Sequence, residues 1–252
     1  MIRSNWSAAL AAVLTIVCAA ASFAADAAPG KIRLAVVTGG HGFDPKTFFA
    51  VFEGHPDVTF THVAQKTGGE VFAKVEEFPY YVLLFYNFNQ KATAEERANF
   101  RKLLDRGVGL IVLHHAGAAY PDWPEFGKIG GGCFHLKPHE ENGVQKPGSG
   151  VKFNVTYKVH VPDRNHPITK GLEDFEVTDE TYIRCTIQPD LQPLLTTEEP
   201  SSDKVVGGVR MQGKARVFYC QLGHDAKVYN QPSFRKVIIR AVRWAANRPT
   251  EP

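Results

Sequence analysis

Four strongly apolar or alternating segments lie in the first half of the chain. They are predicted to be strands: residues 32–38, 58–63, 80–86 and 108–113. Most are almost continuously apolar, as expected of parallel strands buried on both faces. Helix signals separate them, because Asp44-Pro45 begins a helix predicted to reach about residue 54, and Thr93 caps a helix over residues 94–105. This rhythm predicts a doubly wound α/β fold, with a mostly parallel sheet and helices on both faces.

The second half of the chain departs from this rhythm. Residues 120–150 are rich in Gly, Pro and His, and we predict a short helix around residues 123–128 followed by an irregular lid. Later segments predict an antiparallel or edge strand, an added antiparallel hairpin and a final amphipathic helix: residues 151–161, 205–211 with 216–222, and 232–246.

The N-terminus has the pattern of a secretory signal. Arg3 is followed by an apolar stretch over residues 8–21 and by a small-x-small cleavage site at residues 22–24. A membrane anchor is the competing interpretation, but the segment is short and Ala-rich for a span. The sequence therefore predicts a signal peptide over residues 1–25 and one exported domain over residues 26–252, periplasmic or secreted and without a membrane segment after cleavage.

The distribution of charge limits the class of partner. The net charge of +3 is spread without blocks of one sign, which argues against nucleic acid as a partner.

Cys133, Cys185 and Cys220 remain after cleavage, so at least one thiol is free. Cys220 suits a buried, inert thiol, and Cys133 in a Gly-rich loop is the candidate reactive one. A Cys133–Cys185 bridge stays open.

The most informative stretch is Leu113-His114-His115-Ala116-Gly117, which follows a predicted buried strand. Such an elbow at the carboxyl end of a strand presents side chains to a ligand and often holds a Ser or Cys nucleophile. Here His115 takes the place of the nucleophile, with His114 beside it. The sequence therefore predicts a site without the commonest covalent chemistry.

Histidines also follow other predicted strands, so we expect His41, His114, His115 and His224 to share one edge of the sheet. Such a cluster could transfer protons or bind a divalent metal, for which His115 and His224 are the candidates. No spacing rule supports a metal. The glycines around His41 lack the G-x-G-x-x-G pattern, so no nucleotide is expected.

With these segments in place, the chain resembles the ThuA-like (trehalose utilisation) family, which has the flavodoxin-related, class I glutamine amidotransferase-like fold. The matching stretches are Thr38-Gly39-Gly40-His41, the elbow with Trp123-Pro124-Glu125-Phe126, His166-Pro167-Ile168-Thr169, Asp179-Glu180-Thr181-Tyr182, residues 213–219 and Leu222-Gly223-His224-Asp225. The resemblance implies a role in disaccharide use, notably through 3-keto sugars. It also implies that His115 replaces the amidotransferase Cys, which excludes glutaminase chemistry through an acyl-enzyme.

The resemblance implies a sugar or 3-keto glycoside as the substrate, and the histidines point to acid/base chemistry with or without a metal. Together with the signal-like N-terminus, they predict an exported enzyme of this kind. The predicted catalytic residues are His115, His224, Glu180 and Asp179. The predicted substrate-binding residues are His41, His114, Trp123, Tyr182, Asp225 and His135. Phe134, Tyr120 and Tyr229 are further candidates for stacking on a sugar. A non-catalytic carbohydrate-binding module and a metal-dependent hydrolase of other substrates remain alternatives.

Overall fold

The computed structural model describes residues 30–141 and 143–251. The predicted signal peptide lies outside these ranges and stays a prediction. Within them, each helix is too short or too polar to cross a lipid bilayer.

Thirteen strands and five α-helices follow one another along the described part of the chain. The strands are β1 (Ile32–Gly39), β2 (Val58–Ala64), β3 (Val82–Asn87), β4 (Gly109–Leu113), β5 (Gly132–Cys133), β6 (His139–Glu141), β7 (Val144–Lys146), β8 (Gly150–Val159), β9 (Phe175–Ile183), β10 (Thr186–Ile187), β11 (Gln192–Thr196), β12 (Val205–Gln212) and β13 (Ala215–Cys220). The helices are α1 (Pro45–Phe49), α2 (Ala94–Asp105), α3 (Pro124–Gly130), α4 (Ala226–Tyr229) and α5 (Pro232–Ala245), with 3-10 turns at Glu70–Phe72 and His114–Ala118.

Seven strands form one sheet in the order β11-β12-β13-β4-β3-β1-β2. The pairs β2–β1, β1–β3, β3–β4 and β4–β13 are parallel. The hairpin β12–β13 and the pair β11–β12 are antiparallel. The predicted α/β class, with a mostly parallel sheet and an added hairpin, is confirmed. All five parallel strands end at the same edge, and the chain segments that follow them meet there.

Two hydrophobic cores cover the two faces of the sheet. Alternate residues of each buried strand enter opposite cores, as Leu34 and Ala35 do in β1. Helices α1, α4 and α5 cover one face and α2 and α3 cover the other. Because both faces of the sheet are covered, the central strands are apolar at nearly every position and do not alternate between apolar and polar residues.

Helix signals in the sequence correspond to real caps, although one helix is shorter than predicted. Thr93 and Glu96 form a reciprocal capping box at the start of α2, and Asp44 accepts a hydrogen bond from the Lys46 N–H in α1. The prediction that α1 reaches residue 54 is wrong. From Val51 onward the backbone N–H groups bond to carbonyls three residues earlier, so the chain continues as tighter turns.

Strand β8 is antiparallel, one of the two predicted alternatives, but it is not an edge of the main sheet. It pairs with β9 in a separate two-stranded sheet. Val155, Val159 and Val177 of this ribbon are buried in the same core as α5. The predicted irregular lid contains short pairing strands, since β6 pairs with β7 and β5 with β10. This ribbon contributes to the candidate site, because β9 brings residues 179–182 to the sheet edge at which the parallel strands end.

Candidate active site

The histidines predicted to share one sheet edge lie together. The ring centroids of His41 and His115 are 4.3 Å apart, and those of His114 and His224 are 5.5 Å apart. His114 and His115 lie 5.2 Å apart across the elbow. These residues follow β1, β4 and β13, whose parallel arrangement brings the ends of distant chain segments to one place.

The elbow after β4 is a 3-10 turn in which His114 has a φ of 54°, in the left-handed region that non-glycine residues seldom adopt. The His114 ring is buried, and its Nδ1 lies 2.7 Å from the Gln221 carbonyl oxygen. A carbonyl only accepts, so Nδ1 carries a proton and Nε2 points away from that carbonyl. Gly223 packs against the elbow with a φ of 132°, where a Cβ would lie 3.3 Å from that of His114.

His115 is a buried base with a free lone pair. Its Nε2 donates to the Tyr86 carbonyl oxygen at 3.3 Å, which leaves Nδ1 as the acceptor nitrogen. This Nδ1 is buried and has no hydrogen-bond partner within residues 30–141 and 143–251. Burial, with smaller contributions from His114 and His41, lowers the pKa of His115 well below its usual value. The imidazole is therefore neutral at pH 7 and able to accept a proton.

His41 faces His115 from the loop after β1. Its Nδ1 lies 2.7 Å from the Gly42 carbonyl oxygen, so its Nε2 is also a lone-pair nitrogen. Partial burial of the ring lowers its pKa, and this effect exceeds the opposing one of the Gly42 carbonyl. The site thus contains two adjacent neutral imidazoles.

Glu180 lies between two other imidazoles. Its Oε2 is 3.3 Å from His114 Nε2, and its Oε1 is 3.1 Å from His224 Nδ1. The Tyr182 hydroxyl donates to Oε2 at 3.1 Å. Burial is the largest single influence on Glu180 and opposes ionisation, but the bond and charge of His114, with His224 and Tyr182, together lower its pKa. The site therefore holds a carboxylate ion beside its imidazoles.

Asp179, predicted to be catalytic, has a different task. Its carboxylate accepts backbone N–H bonds from Gly223 at 2.7 Å, His224 at 3.0 Å and Glu180 at 2.9 Å. The side chain is buried and does not line the cavity at this edge. Burial raises its pKa, against the opposing effects of His114 and the three amides. Asp179 is a positioning residue, because its oxygens hold the loop that carries His224.

The cavity at this edge has a volume of about 270 Å³. His41, His115, Glu180 and Tyr182 provide its polar groups. Its apolar wall consists of Phe88, Ala118, Phe134, Leu136, Val151 and Phe153. Phe153 is 61% exposed and Val151 43% exposed, although both are apolar. A cavity that combines an apolar wall with a few hydrogen-bonding groups suits a small ligand with both apolar and polar surfaces.

Three predicted substrate-binding residues lie elsewhere. Trp123 is 3% exposed and packs in the core with Phe100 and Phe126, because its aromatic ring serves to anchor α3. Asp225 caps α4 by accepting the Lys227 N–H. His135 faces a different cavity, where its ring stacks on His139 at 3.4 Å. These predictions are corrected, whereas His41 and Tyr182 line the cavity and His114 touches Tyr182.

Of the other stacking candidates only Phe134 lines the cavity, since Tyr120 and Tyr229 are buried in the two cores. Phe88 and Phe153 also line the cavity, although neither was predicted from the sequence. Phe88 directly follows β3, so the rule that found the histidines could have found it. The exposure of Phe153 on β8 has no signal in the sequence.

The cysteines take no part in this site. Cys133, Cys185 and Cys220 are all free thiols, so the open Cys133–Cys185 bridge is not formed. Burial raises the pKa of Cys133 to about 11 and that of Cys220 to about 12. Cys133, the candidate reactive thiol, is therefore protonated at neutral pH and a poor nucleophile.

Comparison with known proteins supports the resemblance found in the sequence. The ThuA family model, described as trehalose utilisation, matches residues 39–245. No curated protein matches the chain. Two solved ThuA-like proteins have the same fold. That of Parabacteroides merdae has 20% identity and a TM-score of 0.73, covering 88% of this chain and 92% of its own. That of Bacteroides uniformis has 19% identity and a TM-score of 0.59, covering 88% and 95%.

The fold also extends beyond that family. A GMP synthase-type protein from Thermoplasma acidophilum has 11% identity and a TM-score of 0.51, covering 86% of this chain and 94% of its own. At such identities these structures show the fold alone. They agree with the predicted glutamine amidotransferase-like architecture.

Proposed function

This chain belongs to the ThuA family, and from that premise we propose that it is an exported enzyme acting on a 3-keto glycoside or a related sugar. The family description of trehalose utilisation supports a carbohydrate role. The observation that carries the proposal concerns His115, which lines a cavity with an apolar wall. Its buried Nδ1 has no hydrogen-bond partner in the part of the chain that the structure describes. The signal-like pattern of residues 1–25 supports export.

The proposed chemistry is proton transfer next to a carbonyl group. A keto group acidifies the adjacent C–H bond, so the neutral His115 Nδ1 takes that proton and the electron pair moves onto the carbonyl oxygen as an enolate. The His224 side chain is 30% exposed but is not among the residues that line the cavity. In this proposal its ring turns toward the substrate to stabilise the enolate oxygen, and His41, which lines the cavity, binds the substrate. Return of the proton from the His115 imidazolium to the enolate completes an isomerisation. In an elimination, the enolate electron pair expels the glycosidic oxygen, which takes the proton from His115 and leaves as an alcohol.

The apolar wall supplies recognition of the sugar in this proposal. Phe88, Phe134 and Phe153 come from three separate elements and surround the same cavity. An aromatic ring covers the apolar face of a pyranose while Glu180 and Tyr182 accept or donate hydrogen bonds at its edge. This arrangement selects a neutral ring rather than a charged metabolite.

The experiment is turnover of trehalose, 3-keto-trehalose and other 3-keto glycosides, followed by mass spectrometry in buffer with and without added Zn²⁺. His115→Gln keeps a donor for the Tyr86 carbonyl but removes the base, and should lower kcat by about 10²–10⁴-fold. His135→Gln is the matched control, because that histidine faces another cavity. Turnover of no sugar, or equal turnover by His115→Gln, overturns the proposal.

A non-catalytic sugar-binding module is the second candidate function, and the exposed apolar wall is the observation that favours it. The same sugars separate the two functions. Saturable binding that is lost in Phe153→Ala, without conversion of any sugar, identifies the module.

A further inference from the structure

We infer that His114, Glu180 and His224 form a binding site for one divalent ion of the zinc class. The three residues come from the β4 elbow, β9 and the loop after β13. The inference deepens the proposed function and rests on it for the use made of the ion. The binding itself can be measured without any substrate.

The spacing of the side chains fits such an ion. Two ligand atoms at about 2.0–2.1 Å from a tetrahedral zinc ion are about 3.3–3.4 Å from each other. Glu180 oxygens lie 3.3 Å from His114 Nε2 and 3.1 Å from His224 Nδ1. One ligand atom from each residue falls within 4.8 Å of the others. The His224 side chain is 30% exposed, so it has room to rotate toward the ion and leaves a route for it to enter.

The backbone hydrogen bond of His114 is of the kind that metal-binding histidines make, and His224 has an unsatisfied ring nitrogen. His114 donates its Nδ1 proton to the Gln221 carbonyl, which turns Nε2 toward Glu180. Outer-shell bonds of this kind fix the tautomer and orientation of metal-binding histidines. His224 Nδ1 is buried and makes no hydrogen bond to any described residue, because Glu180 Oε1 lies off the direction of a ring N–H bond. An ion would satisfy this nitrogen.

Tyr182 is compatible with the ion. Its hydroxyl lies 2.8 Å from His114 Nε2 and 3.1 Å from Glu180 Oε2. When an ion binds His114 Nε2, the Tyr182 hydroxyl can keep its hydrogen bond to Glu180 Oε2. Two imidazoles and one carboxylate favour zinc-class ions over Mg²⁺ and Ca²⁺, which prefer oxygen ligands throughout. Open coordination positions would let the ion polarise a substrate carbonyl.

Metal binding tests the inference directly. Protein purified without a His-tag is stripped with EDTA, and Zn²⁺ binding is followed by calorimetry and elemental analysis. Co²⁺ provides a visible absorption spectrum that reports the ligand geometry. We expect one equivalent of Zn²⁺ in the wild type. Glu180→Gln and His224→Gln should each weaken binding by more than about 100-fold, beyond the 10–100-fold typical of a lost outer-shell partner.

His41→Gln and His135→Gln are the controls, because one lies beside the site and the other in a separate cavity. Both should bind Zn²⁺ like the wild type. The inference is overturned if the folded wild type binds no stoichiometric Zn²⁺, or if His135→Gln abolishes binding while Glu180→Gln and His224→Gln do not. Sugar turnover by metal-free protein would leave the proposed function standing without the ion, whereas zinc binding without turnover would do the reverse.

Discussion

Asp179 offers the sharpest test of how the site is held together. Its carboxylate accepts three backbone N–H bonds and is 3% exposed. Asp179→Asn keeps the shape but replaces one acceptor oxygen by an NH₂ donor. In the better orientation the remaining oxygen serves His224 and Glu180, and the NH₂ group faces the N–H of Gly223.

The expected loss of stability follows from the number of hydrogen bonds that Asp179→Asn loses or weakens. Leaving the Gly223 amide unsatisfied costs about 1–3 kcal/mol, and the two retained bonds lose about 1 kcal/mol each because their acceptor is no longer charged. Relief of the buried charge offsets part of this loss. We expect the free energy of unfolding to fall by about 2–3 kcal/mol. For a protein of this size Tm should then fall by about 4–12 °C.

Urea denaturation and amide hydrogen exchange measure the effect. The amides of Gly223 and His224 should lose protection in Asp179→Asn. Asp225→Asn is a matched control, because Asn caps a helix about as well as Asp and Asp225 only caps α4. Its stability should stay within about 0.5 kcal/mol of the wild type. Equal stability of the two variants, with unchanged exchange at residues 223 and 224, would refute the positioning role.

Two further predictions concern residues outside the cavity. Trp123→Ala should destabilise the fold by about 3–5 kcal/mol in urea denaturation, yet leave sugar affinity unchanged; weaker sugar binding by the folded variant would contradict its assignment to the core. Amide and hydroxyl bonds from Thr67 and Gly68 outweigh burial and lower the pKa of Glu70 from 4.5 to about 2. Its contribution to stability is therefore full above pH 4.5 and lost as pH falls toward 2. In Glu70→Gln the urea midpoint of unfolding should fall less steeply between pH 4.5 and pH 2 than in the wild type. An equally steep fall in both proteins would contradict this role of Glu70.

Much of the fold could be predicted because burial on both faces leaves a direct trace in the sequence. The continuous apolar runs identified β1, β3 and β4, and Thr93 marked the start of α2. Strand β9 was not identified, because Thr178, Asp179 and Glu180 interrupt its pattern with polar residues. Thr178 is partly exposed, whereas the buried carboxylates of Asp179 and Glu180 are tolerated because backbone amides and imidazoles satisfy them.

The sequence by itself determined which chain segments meet at the candidate active site, since parallel strands must all end at the same edge of their sheet. It could not decide which side chains there face the cavity. Asp179 and Glu180 are adjacent, but neighbours in a strand project in opposite directions, so one binds backbone amides and the other binds imidazoles. Phe134 and His135 are also adjacent, yet Phe134 lines the cavity and His135 faces another one. Such choices depend on packing against residues far away in sequence, and only the tertiary structure makes those contacts.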